Sequence, residues 1–382
     1  METKILYLKF DKIYTKLLNK FIPVSNNNIY ISHSDNNNIV NSKFIDTRIS
    51  KKIKQNKIKY NLQYKYKKWN IKINIFTEDE DNNLIKLFNN ILFRIILIIM
   101  FIENTSKPKD LILNIYLTDE EKKIHYCKKE ILGPLNSNSG LTDGISITIF
   151  RKEELLKLVI HEIIHFYNID IKTRNIFCKE CYTNMFNIES NIIINESFVE
   201  TWSTLLNLLF ISNSLQEFND LLEKEILFSL EQVAKILINY NFNSYEEFLK
   251  ENKSLSLGVK ELRGAISLHR QVWSGGEKKI IKQKTSVFSY YIVKSIFLHS
   301  ILFNKLNFLT IFLNINYNHN NIFNYSNQII QLLKENYNNH KIIFTINYFI
   351  NNLKNNCNKN SFRMTKKNTN YKCKYCNYDK YN

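Results

Sequence analysis

His161-Glu162-Ile163-Ile164-His165 holds the residue types and spacing best suited to chemistry in this 382-residue chain. Two histidines four apart share one face of a helix, so both imidazoles can grip one metal ion. Neutral imidazole nitrogen suits Zn2+. Glu162 lies beside them, where a carboxylate can polarise a metal-bound water, take its proton and deliver it to a leaving amine. With 8 His among 382 residues, composition alone yields about 0.015 matches to this pattern. The competing reading is a pair of polar histidines on a solvated helix face. Leu158, Val159, Ile160, Ile163 and Ile164 surround the motif with apolar surface and point to burial instead.

A catalytic zinc site needs a third protein ligand and keeps a fourth position open. One pattern, HExxHxxGxxH, would require glycine at position 168 and histidine at position 171. The chain has Asn168 and Ile171, which excludes it. Asn195-Glu196-Ser197-Phe198-Val199-Glu200 offers NExxxE on a second helix. There Glu196 can reach the metal, and Glu200, one turn later, can accept the N–H of a ligating histidine. Glu180, Glu189 and Asp170 compete for the third-ligand place, although Asp170 falls off the histidine face of the helix.

His161, Glu162, His165, Asn195, Glu196 and Glu200 together resemble the site of the gluzincin zinc metallopeptidases, the thermolysin-like group. The resemblance covers two helices within residues 151–210. It implies one catalytic zinc on His161, His165 and Glu196, a general base at Glu162, and Asn195 and Glu200 behind the ligands. It also implies a zincin-like core in which a strand ahead of the metal helix borders the cleft and pairs with extended substrate backbone. Either Ile145–Phe150 or the Asn138-Ser139-Gly140 turn can take that part, and an ordinary surface loop and sheet edge explain the same residues equally well. Such enzymes commonly stabilise the developing oxyanion with a Tyr or His from the downstream helical domain. Here Tyr290 or Tyr291 in TSVFSYYIVK, or His269 in LHRQVW, qualifies; in a chain with 22 Tyr the pair also reads as core aromatics.

The elements that must position these residues are visible as periodicities. Residues 57–67 alternate strictly, with Ile58, Tyr60, Leu62, Tyr64 and Tyr66 on one face and Lys and polar residues on the other. That is a strand with a buried face and a basic face. The phase flips at Lys68, so a bulge or turn must precede Trp69, Ile71, Ile73 and Ile75. Thr77 to Glu80 reads as a capping box opening a helix that runs to about Glu103. A strand is expected over 111–117, a loop over 133–144, a strand over 145–150 and the metal helix over 151–168. The second helix is expected over about 192–210, followed by a mostly helical stretch to 350. The fold class is α+β, divided into a β-rich N-terminal region (1–76), a zincin catalytic core (77–215), a helical domain closing the cleft (216–350) and a basic Asn/Lys-rich tail (351–382).

Composition constrains the rest. Hydrophobic residues make up 44% of the chain, including 26 Phe and 22 Tyr, which excludes wholesale disorder. Asn, Ile, Lys, Tyr and Phe dominate, and all have AT-rich codons, which points to an AT-rich genome such as that of a large DNA virus or a protist. The net charge is +18, but nine Lys and no acid between Lys51 and Lys72 carry +9, and residues 351–382 carry +7. The body holding the metal motif is therefore nearly neutral. No signal-peptide pattern opens the chain, and the longest apolar run, Ile91 to Ile102, is broken by Arg94 and reads as a buried core helix rather than a membrane span. Six Cys in so long a chain do not form a disulfide framework, and the expectation is an intracellular, reduced protein. Cys178, Cys181, Cys373 and Cys376 form two CxxC pairs that can share a structural zinc or stand as unrelated free thiols. The tail interleaves Lys with Tyr371, Tyr375, Tyr378 and Tyr381, a pattern that can bind nucleic acid, although a solvated tail is the preferred reading. The leading expectation is a zinc metallopeptidase acting on a peptide or protein. A zinc hydrolase of another amide or ester, and an inactive zincin scaffold serving in a virion or on nucleic acid, are the alternatives.

Overall fold

Alternation of apolar and polar residues with one change of phase builds the first hairpin. Ile58–Tyr66 pairs antiparallel with Trp69–Thr77, in register Tyr66 to Trp69. The phase change is thus a turn at Lys67-Lys68, in which Lys67 takes a left-handed φ of 53°. A computed structural model of the chain describes residues 2–34, 42–80, 84–104, 106–170, 182–189, 193–250, 279–303, 329–354, 356, 358 and 360–366.

In chain order the elements are α1 (Glu2–Leu18), β1 (Ile29–His33), α2 (Thr47–Ile53), β2 (Ile58–Tyr66), β3 (Trp69–Thr77), α3 (Leu84–Ile102), β4 (Leu111–Tyr116), α4 (Pro134–Ser137), β5 (Gly140–Thr142), β6 (Ser146–Ile149), α5 (Leu155–Phe166), α6 (Asn195–Ile211), α7 (Leu215–Asn239), α8 (Tyr245–Phe248), α9 (Lys294–Phe303) and α10 (His340–Lys354). A π-helical turn, Phe288–Val293, leads directly into α9. The protein is mixed α and β, with one six-stranded sheet in the order β1-β2-β3-β4-β6-β5. Strands β3, β4 and β6 run parallel, while β1, β2 and β5 pair antiparallel to their neighbours. The boundary expected at residue 76 falls inside β3, where Phe76 is paired with Tyr116 of β4.

One face of the sheet buries Ile71, Ile73, Ile75, Leu113, Ile115 and Ile147 against the helices. The other carries a side-chain ladder: Asn61 donates to Asn74 at 2.7 Å and Asn74 donates to Asn114 at 2.7 Å, one rung per strand. These amides sit directly opposite one another in the strand pairing, so the ladder reinforces the register. Near the β5 end, Ile49 and Ile53 of α2 and Ile45 just before it cluster with Phe150 in a small second core. Helix α3 is long and apolar enough to cross a membrane, but 78% of its apolar window is buried within the protein. It packs on α5 as a core helix, in line with the reading of Ile91 to Ile102.

Several expectations need correction. The first element is a helix: Leu6, Phe10, Tyr14 and Leu17 recur at helical spacing and are all buried. Thr77 ends β3, paired with Ile58, and α3 begins at Leu84, so the Thr77 to Glu80 segment does not open the helix. The loop expected over 133–144 contains α4 and β5. The tail is not loose where it is described: Phe362, Met364 and Thr365 are buried. Cys127 is disulfide-bonded, against the expectation of reduced thiols.

Ile73 lies fully buried in β3 at the middle of the sheet, with paired strands on both sides. Ile73→Ala is expected to destabilise the fold by roughly 2–5 kcal/mol, read as a lowered midpoint in urea unfolding.

Candidate metal centre

Strand β6 ends in the core and hands the chain to α5 through Arg151–Glu154. Glu154, the residue before α5, adopts a left-handed φ of 59° and is buried with its charge paired to Lys122 at 2.7 Å. Helix α5 is apolar nearly all round, so it is driven into the core and carries its polar residues with it. His161 and His165 lie one turn apart, their ring centroids 4.9 Å from each other. Helix α6 packs against α5 and brings Glu196 in its first turn and Glu200 one turn later.

Ligand atoms of His161, His165 and Glu196 all lie within 4.8 Å of one another. Glu196 Oε2 is 3.5 Å from His161 Nε2 and 3.3 Å from His165 Nε2. Tetrahedral zinc ligands at bond lengths of about 2.0–2.1 Å stand about 3.3–3.4 Å apart, so the donor set and its spacing fit Zn2+. The far side of each ring is also committed. His161 Nδ1 lies 3.3 Å from Glu200 Oε1, and His165 Nδ1 lies 3.0 Å from Asp170 Oδ2. Asn195 donates to the same Asp170 oxygen at 2.6 Å. A proton on Nδ1 of each ring would suit these carboxylates and leave each Nε2 facing Glu196 and a cation.

Burial alone would strip the proton from a charged imidazole, but Glu196 and Glu200 outweigh it and raise the pKa of His161. Burial is likewise outweighed at His165, where Glu196 and Asp170 raise the pKa strongly. Glu196 sits below the usual carboxylate range because the two histidines overcome the cost of its burial. Glu200 is lowered as well, with Lys157 as the main opposing charge to burial. Glu162, 5% exposed, moves the other way, and burial raises its pKa.

The sheet edge next to α5 is β5. A Cβ built on Gly140 would stand 2.7 Å from Glu162 Oε1, so only glycine lets this carboxylate lie against the strand backbone. Strand β6 is flanked by β4 and β5 on its two sides, so the Ile145–Phe150 alternative has no free edge. Of the turn residues, Asn138 faces inward, donating to the Phe44 carbonyl at 3.2 Å and accepting from Thr285 at 2.8 Å. Ser139 is buried, and its carbonyl accepts from Phe150 N–H at 2.9 Å. Gly140 stands beside Glu162. Arg151 holds the approach to β5, donating to the carbonyls of Asn138 at 2.9 Å, Glu120 at 3.0 Å and Leu135.

Tyr290 lies over the centre, its ring 6.2 Å from that of His161 and its hydroxyl near Glu196. Burial and the nearby carboxylates keep the phenol well above its usual pKa, so it stays a neutral donor. Tyr291 does not reach the site. It points into the core, stacks on Phe362 and donates to the Phe362 carbonyl at 2.7 Å. Glu189 pairs with Lys282 at 3.6 Å and is exposed, away from the histidines. Asp170, set aside as off the helix face, reaches His165 because α5 ends at Phe166 and Asn168 turns the chain with a left-handed φ of 52°. An Asn just past a helix, tolerant of that conformation, was the signal available for it. Lys157 was also missed; its place one turn before His161 was the clue. His269, Glu180, Cys178, Cys181, Cys373 and Cys376 lie outside the described residues.

No family model matches the chain, and no solved structure matches it. It is 29% identical over 242 residues to an uncharacterized protein of Acanthamoeba polyphaga mimivirus, covering 57% of this chain and 59% of that protein. The chain thus matches less than two thirds of its relative's length.

Because both imidazole pKa values are raised, protons compete with a cation for the same nitrogens. Below the raised values the rings are charged and repel the ion; above them the sites are free. Zinc affinity is therefore expected to fall with falling pH, starting above the range where an ordinary imidazole takes up its proton, measured by competition with a chromophoric chelator across a pH series.

Proposed function

We propose that this chain is a zinc-dependent peptidase of gluzincin type, built on a zincin-like core. The observation that carries the reading is the convergence of His161, His165 and Glu196 from two helices, with Glu162 between them and the β5 edge. Zn2+ held by these three residues would supply Lewis acidity to a water and a substrate carbonyl. Glu162 is the proton carrier: burial raises its pKa toward the working pH, the condition for a carboxylate both to take and to return a proton. Strand β5, the edge of the sheet among the described residues, offers backbone groups to an extended peptide, aligning it along the metal helix. Tyr290 keeps its hydroxyl proton and can donate it to the oxygen that gains charge during attack. His161 and His165 are held by Glu200 and Asp170, so neither ring must reorient during turnover.

Purified protein is expected to contain one zinc and to cleave members of a mixed peptide library in a chelator-sensitive way. Glu162→Gln is expected to lower kcat/KM at least about 100-fold with zinc content unchanged. Protein that holds zinc but cleaves nothing, with Glu162→Gln indistinguishable from it, would favour the scaffold reading. Gly140→Ala is expected to retain zinc while pushing the Glu162 carboxylate aside, giving a loss in kcat on the order of 10-fold or more.

A further inference from the structure

Behind the metal centre lies a group of buried charges, of which the chemistry above uses only Glu200. Lys122, Glu154, Lys157, Glu200, Glu225 and Lys294 are each no more than 1% exposed. Glu200 divides its carboxylate, one oxygen facing His161 Nδ1 at 3.3 Å and the other accepting from Lys157 Nζ. Lys157 therefore sets the orientation of the group that sets His161. Its ammonium also lies 3.7 Å from Met364 Sδ.

Met364 and its neighbours close the rest of the cluster. Lys294 donates to the Met364 carbonyl and stands 3.9 Å from Glu225. Thr365 N–H donates to Glu154 Oε1, and the Thr365 hydroxyl donates to Glu225 Oε2 at 2.9 Å. Lys366 N–H adds a second donor to Glu225 at 2.9 Å. Further along, Ser361 pairs with Lys123 and its carbonyl accepts from Lys235 at 2.8 Å. Residues 360–366 thus form a strap whose peptide groups and Thr365 hydroxyl add hydrogen bonds to buried charges that are already ion-paired. Losing those donors and acceptors from a buried ionic cluster is unfavourable, so the cluster and the strap stabilise each other.

We propose that Lys157 is a positioning residue for the metal centre and that the 360–366 strap holds it in place, so that strap docking and zinc binding reinforce each other. The inference rests on zinc binding at His161, His165 and Glu196. The chain of contacts runs from Met364 through Lys157 and Glu200 to His161 Nδ1. By reciprocity, whatever the strap adds to zinc affinity, zinc adds to the docking of the strap.

The test is zinc affinity by chelator competition on the full-length chain and on Lys157→Met, Lys157→Arg, His161→Ala and Ile73→Ala. Lys157→Met is expected to weaken zinc about 10- to 100-fold, and Lys157→Arg to recover most of the loss. Ile73→Ala, which weakens the fold far from the cluster, is expected to stay within about twofold. Folded Lys157→Met with unaltered affinity would overturn the inference while leaving the metal site standing. A full-length chain that binds no zinc, or binds it unchanged in His161→Ala, would overturn the metal site and the inference with it. If Lys157→Met does not fold, amide exchange of residues 362–366 in the unaltered chain decides. Several-fold slower exchange with one equivalent of zinc supports the coupling, and equal exchange overturns it.

Discussion

Burying a charge without a partner costs more than any single contact in this protein returns. Helix α5 takes on that cost three times within two turns, carrying Lys157, His161 and Glu162 into the core. Much of the surrounding architecture answers to it. Helix α6 brings two carboxylates to the two histidines and the lysine. The chain after α5 turns back so that Asp170 meets His165. Strand β5 gives up a side chain at Gly140 so that Glu162 has a place to lie. The apolar face of the sheet supplies the driving force, and the polar partners make the result tolerable.

The site was legible in the sequence where its signal was local. Two histidines four apart and two glutamates four apart each occupy one helix face, and the structure brings those faces together. The hairpin from Ile58 to Thr77 was legible for the same reason, since a change of alternation phase has few physical causes. What was not legible depends on distant partners. Tyr290 and Tyr291 are neighbours in identical local sequence, and only the π-helical turn and the position of Phe362 decide which faces His161. Thr77 carries a helix-opening signal, yet pairing with Ile58 claims it for the sheet. The segment around Met364 has the composition of a loose tail, and its fixed place comes from charges on α5, α7 and α9, far away in the chain. The buried spacing of Leu6, Phe10, Tyr14 and Leu17 was present in the sequence and was hidden by reading the region as one β-rich unit.

The excess positive charge also takes on a different meaning. The chain's +18 is concentrated in two segments, and one of them, 351–382, contains residues that are packed rather than solvated: Leu353, Phe362, Met364 and Thr365. Along β2 the basic face is solvent-exposed at Gln63 and Lys65, while Lys59 leans over the Phe76 ring at 5.8 Å. The lysines with the greatest influence on the centre are instead Lys157 and Lys294, isolated in sequence and invisible to any count of charge per segment.

The strap has a further consequence in time. Residues 360–366 follow the metal helix by about two hundred positions, and a chain is made from its N-terminus at about 5–20 residues per second. For roughly ten to forty seconds of synthesis, therefore, α5, α7 and α9 exist without the strap groups that hydrogen-bond Glu154, Glu225 and Lys294. The nascent protein can assemble its sheet and its apolar helices during that interval, but the polar interior behind His161 is finished last. The environment of His161 is thus completed only when a segment about two hundred residues downstream has been made.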